Sequence, residues 1–396
     1  MLRFLTAGES HGPSLTVIVE GLPSGLAITE EYLGDELSRR RLGYGRGPRM
    51  RFERDELRLS GGIRHGRTLG SPVAIEILNS EWPKWEQEMA AAPGTPSGKL
   101  TKPRPGHADL AGMQKYAFDD ARDVLERASA RETAARVVAG ALAKALLASI
   151  GVQVVSHVVR IGQVAAPLDA RPRPDELALV DENEVRCFDA DTAAKMILEI
   201  KAAAKEGDSL GGVVEVIAYG VPVGLGSYVH WDRKLDGLLA GALMSIQAVK
   251  AVEIGDGMVQ ASQRGSVAHD AIAVDDSFSP GGGYIRRSDH AGGLEGGMTS
   301  GAPVIAKVAM KPLATLNRPV LETVDVATGE SAVSFKERTD VTAVPALGVV
   351  AEAMMSLVLA SESQRKFGGD SLEEFVRNHS SYLANLGSTS SHARSD

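Results

Sequence analysis

The sequence lacks the residues that would place it in several large classes. It has one cysteine, Cys187. No internal disulfide can form, and no cysteine-based metal site can be assembled. Aromatic residues make up only 5% of its 396 positions, too few for the stacking platforms that hold single-stranded nucleic acid. The net charge of −8 points the same way, because an acidic surface repels the phosphate backbone. No uninterrupted run of about 18 apolar residues exists to span a membrane. The start, Met1-Leu2-Arg3-Phe4-Leu5-Thr6, lacks the apolar stretch of a signal peptide. Together these absences predict a cytoplasmic protein with neither nucleic acid nor a membrane as partner. Missing too are a G-x-x-x-x-G-K-[ST] loop, a G-x-G-x-x-G in strand-to-helix context, an H-E-x-x-H helix and a G-x-S-x-G elbow. His65, His157, His230, His269, His290, His379 and His392 show no metal-ligand spacing, so no metal is expected.

What the sequence does have is glycine, 43 residues of it, which predicts many tight turns and close backbone approaches. Alternating apolar residues predict strands at Leu15–Glu20, Val73–Leu78, Val213–Tyr219 and Pro303–Met310. Helical spacing predicts helices led by Leu33 and Leu37, and over about 130–150, 193–204 and 235–252, with a last strong one starting at Pro345. Hairpin strands mixed with long helices, without β-α-β alternation, argue for an α+β layered fold. No linker divides the chain, so residues 1–385 are expected to form one catalytic domain, followed by a disordered tail over 386–396. The Pro/Gly/Ser-rich stretch Ala91–Pro105 reads as a mobile surface loop.

Four places concentrate candidate chemistry. His11 lies in Thr6-Ala7-Gly8-Glu9-Ser10-His11-Gly12, where Gly8 and Gly12 would admit a ligand to the backbone; taken alone, such a histidine is more often structural. Arg39, Arg40, Arg41, Arg46, Arg49, Arg51 and Arg54 crowd one glycine-rich stretch. Arginine offers planar paired donors for phosphate and carboxylate. Complementing a helix C-terminus explains Arg39–Arg41 well, but not Arg46 or Arg49. Like charges and three glycines predict that this loop is mobile when empty. His107 follows a Pro-Gly turn with Asp109 placed to orient its ring, as a proton-transfer residue or as a surface pair. Ser129 and Glu132 have capping-box spacing beside Arg127, and Arg338-Thr339-Asp340 precedes the last helix. Either is an anion site at a helix start, or simply a cap.

At these places the sequence resembles the chorismate synthase family, from Met1 to about Tyr382. The matching stretches are Thr6–Gly12 (TAGESHG), Arg39–Arg49 (RRRLGYGRGPR), Arg104–Asp109 (RPGHAD), Glu126–Thr133 (ERASARET), Gly207–Gly212 (GDSLGG), Gly292–Gly301 (GGLEGGMTSG) and Arg338–Asp340 (RTD). The resemblance implies a helix layer between antiparallel sheets and a homotetramer. It implies trans-1,4 elimination of phosphate from 5-enolpyruvylshikimate 3-phosphate, with reduced FMN required but no net redox. It makes His11 the acid near the leaving phosphate, His107 the residue beside the flavin, and Asp340 the carboxylate that assists proton handling. Arg40, Arg46 and Arg49 would hold the substrate, at positions also described as contacting NADPH. Flavin contacts fall on Arg127, Ala128, Ser129, Gln247, Ala248, Gly296, Lys311, Pro312, Leu313, Ala314, Thr315 and Arg338. Asp289 stands where the family more often has Asn. With only the Ala91–Pro105 insertion, the chain is expected to take reduced flavin from an external reductase, NADPH serving indirectly. The rival readings are an FMN-dependent reductase and a non-catalytic phospho-ligand binder.

Overall fold

Leu15, Val17 and Val19 bury one side of strand Ser14–Glu20, and Val73, Ile75 and Ile77 bury one side of Val73–Leu78. The register sets Val17 against Ile75, so both apolar sets share one face. The computed structural model describes residues 2–46, 56–275, 280–318, 320–334 and 340–386. In it these strands are the centre of a four-stranded antiparallel sheet, flanked by Arg3–Ala7 and Leu57–Gly61. A five-stranded antiparallel sheet runs in the order Val249–Ile254, Val304–Met310, Gly212–Tyr219, Gln153–Ile161, Val164–Ala165. Its central strands are apolar on both sides. Val214, Val216 and Ala218 join the main core, while Val155, Ile217 and Ile305 form a small cluster apart from it.

Two helices fill the space between the sheets. Thr133–Ala148 rests on the first sheet, Val344–Phe367 on the second, and the two pack against each other. They meet closely because Gly140 faces Ala353: a Cβ at Gly140 would lie 2.2 Å from the Ala353 Cβ. Leu142, Leu146 and Leu147 are fully buried here, each worth about 1.5–3 kcal/mol. The architecture is the layered α+β sandwich expected from the sequence. Val344–Phe367 is long and apolar enough to cross a membrane, but 89% of its most apolar window is buried inside the protein, as a core helix requires.

The structure corrects one element. The helix from Leu235 stops at Met244, not near Val252. Ala248 takes a left-handed φ of 67°, and the β-branched stretch Val249–Ile254 then pairs with Val304–Met310. Strand pairing outweighs helical spacing here, and the resulting turn carries Gln247 and Ala248. Strand Gln153–Ile161 and helix Leu372–Leu386 add to the predicted elements. Leu386 ends that helix, and the rest of the expected tail lies outside the described residues. Most of Ala91–Pro105 is exposed and irregular.

Candidate active site

The first turns of both core helices open on one cavity of about 460 Å³. Thr133 contributes from one helix and Ala346, Leu347 and Val350 from the other. Helix N-termini favour anions. Arg40, Arg46, Arg104, Arg131 and Lys311 line the cavity against a single carboxylate among the described residues, Asp340. The histidines His11 and His107 also line it.

His11 sits in the turn between strands Arg3–Ala7 and Ser14–Glu20, and it is buried. Glu126 grips it twice. His11 N–H donates to Glu126 Oε2 at 2.8 Å, and its Nδ1 lies 2.8 Å from Glu126 Oε1. Burial pushes the Glu126 carboxyl up, but the hydrogen bonds and charge of His11, with Arg122 beyond, leave it below its ordinary value. With Nδ1 engaged, Nε2 is left for the cavity. Gly8 and Gly12 serve the turn itself: a Cβ at Gly8 would lie 2.3 Å from Ser14 O, and one at Gly12 3.3 Å from Glu9 Oε2.

His107 follows Gly106, whose φ is 77°. Its Nδ1 contacts the Asp109 carboxylate. Arg104 holds that carboxylate from Nε at 2.8 Å and Nη2 at 3.1 Å, and its Nη2 lies 3.1 Å from His107 Nδ1. Asp109 is fully buried. Burial raises its pKa, yet His107 and Arg104 hold it well below the usual carboxylate range. Asp109 therefore orients the ring, as its spacing suggested. Arg104 also donates to Thr315 Oγ1 at 3.3 Å, and Lys311 Nζ donates to Gly106 O. These bonds fix the turn to Lys311–Thr315. Ser209 Oγ donates to Leu313 O at 2.8 Å, so the GDSLGG stretch shapes the same wall from behind.

Among the described residues, the arginine segment enters the cavity by two side chains. Arg40 is buried, donating to Thr133 Oγ1 at 2.9 Å and Ala130 O at 3.2 Å. Arg46 Nε lies 3.3 Å from Asp340 Oδ2. Burial pushes the Arg46 guanidinium down, and the Asp340 charge works against that. Arg39 does more than complement a helix end. It binds Asp181 at 2.6 Å and Glu352 at 2.7 Å, within a buried cluster holding Glu36, Lys144 and Arg186. That cluster pins the segment to the Val344–Phe367 helix.

The structure gathers most of the expected site residues. Ala128, Ser129, Gln247, Ala248, Lys311, Pro312, Leu313, Ala314 and Thr315 all line the cavity with His11, His107, Arg40, Arg46 and Asp340. Others lie apart. Arg127 donates to the carbonyls of Gly8 and Thr6 at 3.0 and 2.9 Å and braces the His11 turn. Gly296, with φ 61°, forms the turn between Leu294–Glu295 and Met298–Thr299, beside a second hollow with Gln263 and His269. Asp289 pairs with Arg171 at 3.9 Å, away from the cavity. Arg49 and Arg338 lie outside the described residues, as does the rest of the arginine loop beyond Arg46. The capping box is half formed. Ser129 Oγ accepts from Arg131 N–H at 3.3 Å, but Glu132 turns to Thr6, Arg136 and Gln247. Three donors there outweigh the one it would meet at Ser129. Glu126 was overlooked as a site residue, although its motif was recognised, because its partner lies 115 residues away.

The cavity suits a flavin and an anionic substrate. It is within the size of small-molecule sites, cationic, and walled by the Lys311–Thr315 backbone. Gln247 Oε1 is buried there with no hydrogen-bond partner among the described residues, an acceptor in place for a ligand N–H.

The sequence model of the chorismate synthase family matches residues 2–363. The chorismate synthase of Thermobifida fusca is 57% identical, over 98% of this chain and 99% of that protein. That of Streptomyces coelicolor is 59% identical, over 97% and 98%. A crystal structure of chorismate synthase superposes with a TM-score of 0.79 at 38% identity, covering 98% of both chains. Fold, cavity and sequence agree, and the chain belongs to the chorismate synthase family.

Proposed function

We propose that this chain eliminates phosphate, in trans-1,4 fashion, from 5-enolpyruvylshikimate 3-phosphate to give chorismate, the last step of the shikimate pathway. The observation that carries the proposal is one cationic cavity into which His11 and His107 both enter, each backed by its own buried carboxylate. Arg40 and Arg46 bind the phosphate and carboxylates of the substrate. His11 delivers a proton from Nε2 to the phosphate oxygen as the carbon–oxygen bond breaks, while Glu126 meets the charge on its ring. His107, held by Asp109, balances negative charge at the inner wall. Asp340 lies against Arg46 and takes part in proton handling. Ala128, Ser129, Gln247, Ala248 and Lys311–Thr315 would hold FMN. Reduced FMN, when bound, supplies electron density toward the breaking bond and a base for the C6 hydrogen.

A cytoplasmic homotetramer fed with reduced flavin by a separate reductase completes this reading. A hydrogen bond from a buried arginine to a charged group contributes about 1.5–3 kcal/mol. Arg46→Ala is therefore expected to weaken substrate affinity about tenfold to a hundredfold, with FMN affinity nearly unchanged. Isothermal titration with each ligand checks this. Equal loss of both affinities would move Arg46 out of the substrate site.

A further inference from the structure

His11 is held by more than Glu126. The Trp85 ring stacks on its imidazole, with centroids 4.0 Å apart and planes 28° from parallel. The Arg122 guanidinium lies 5.1 Å from the centroid of the same Trp85 ring. Arg122 Nη1 donates to Glu126 Oε1 at 3.1 Å. The four side chains thus close a circuit, His11 to Trp85 to Arg122 to Glu126 and back. Of the four, only His11 lines the cavity.

Contacts on both sides fix the short helix Trp82–Trp85 in place. Upstream, Asn79 Nδ2 donates to Gly12 O at 2.8 Å, and Asn79 N–H to Pro13 O at 3.0 Å. These tie the helix to the turn that carries His11. Downstream, Glu88 accepts from Ser97 Oγ at 2.6 Å and stands 3.8 Å from Arg122 Nε. The exposed Ala91–Pro105 segment is thereby fastened to the circuit. A tryptophan serving only as filler would sit among aliphatic side chains. This one has an imidazole against its ring and a guanidinium within cation–π reach.

We propose that Trp85, with Arg122, is a positioning residue for His11. The stacked ring fixes the imidazole plane, so that Nδ1 stays on Glu126 while Nε2 stays at the cavity. Its π face also favours the charge of a doubly protonated ring. This proposal rests on the reading of His11 as the proton donor to the leaving phosphate.

Trp85→Ala is expected to lower kcat about tenfold to a hundredfold through misplacement of the donor, with KM and FMN affinity nearly unchanged. Trp85→Phe, which keeps a stacking ring, is expected to recover most of the rate. The decisive comparison is with His11→Ala, itself expected to lose about 10²-fold and measured by single turnover with enzyme in excess. In that background Trp85→Ala should cost nothing more. A wild-type rate for Trp85→Ala, or an equal further loss without His11, would overturn the proposal. Full turnover by His11→Ala would instead remove the reading of His11, and the proposal with it. Should Trp85→Ala fail to fold, Trp85→Leu, which keeps bulk without a ring face, takes its place in both backgrounds.

Discussion

Replacing His107 with alanine is expected to cut turnover by about 10²-fold or more while leaving affinity for the phosphorylated substrate close to its original value. The reason is geometric. His107 lines the cavity, and the contacts that fix it are to Asp109, buried behind it, and to Arg104 at the cavity wall. In the proposed reading, substrate charge is met instead by Arg40 and Arg46. Asp109→Asn keeps the shape and removes the charge, so it should reproduce much of the loss. Steady-state rates and a binding isotherm on each variant check both statements. Unchanged turnover in His107→Ala would take the residue out of the reaction. Lost affinity with unchanged kcat would make it a binding group.

The largest effect on stability is expected at Glu352. It is fully buried on the Val344–Phe367 helix. Arg39, Lys144 and Arg186 converge on it at 2.7, 2.6 and 3.3 Å, and Ser156 Oγ donates to it at 2.6 Å. Gly348, one turn earlier, leaves room for this arrangement: a Cβ there would lie 2.6 Å from Arg186 Nη1. Glu352→Ala leaves buried Arg186 and the largely buried Arg39 and Lys144 with only Glu36 and Asp181 among the described residues, and should cost about 3–5 kcal/mol in a denaturant titration at neutral pH. The cost should depend on pH in one direction. Burial raises the Glu352 pKa, but Arg39, Lys144 and Arg186 outweigh it and hold the carboxyl well below its ordinary 4.5. A depressed native pKa gives stability that is present above the unfolded value and lost as pH falls. The gap between wild type and Glu352→Ala should therefore narrow below pH 4.5. A gap that stays constant with acidity would show that Glu352 contributes by packing, not charge.

Much of the fold was legible because its strands and helices carry strong periodicity. Leu15, Val17 and Val19 announce a strand, and the apolar run from Pro345 announces the core helix. The region after Leu235 misled because its apolar spacing continues past Met244, while the left-handed Ala248 that breaks the helix carries no glycine or proline to mark it. The two histidines and Arg40 stood out by residue type and neighbours. Asp109 was legible as the orienting group of His107 because it lies two residues away. Glu126 was not, because its bond to His11 depends on packing the Arg122–Ala128 helix against the first hairpin. The role of Arg39 was hidden for the same reason: besides nearby Glu36, its acid partners lie on helices 142 and 313 residues further on. Local sequence reveals groups that meet within a turn, and long-range partners emerge only with the fold.

The most direct measurement is anaerobic turnover of 5-enolpyruvylshikimate 3-phosphate with dithionite-reduced FMN, followed by chorismate absorbance. Product should appear with reduced flavin, and neither with oxidised flavin nor with NADPH and oxidised FMN in the absence of a reductase. Absence of product with reduced FMN bound, or NADPH oxidation by the isolated protein at the rate of turnover, would contradict this assignment of reaction and flavin source.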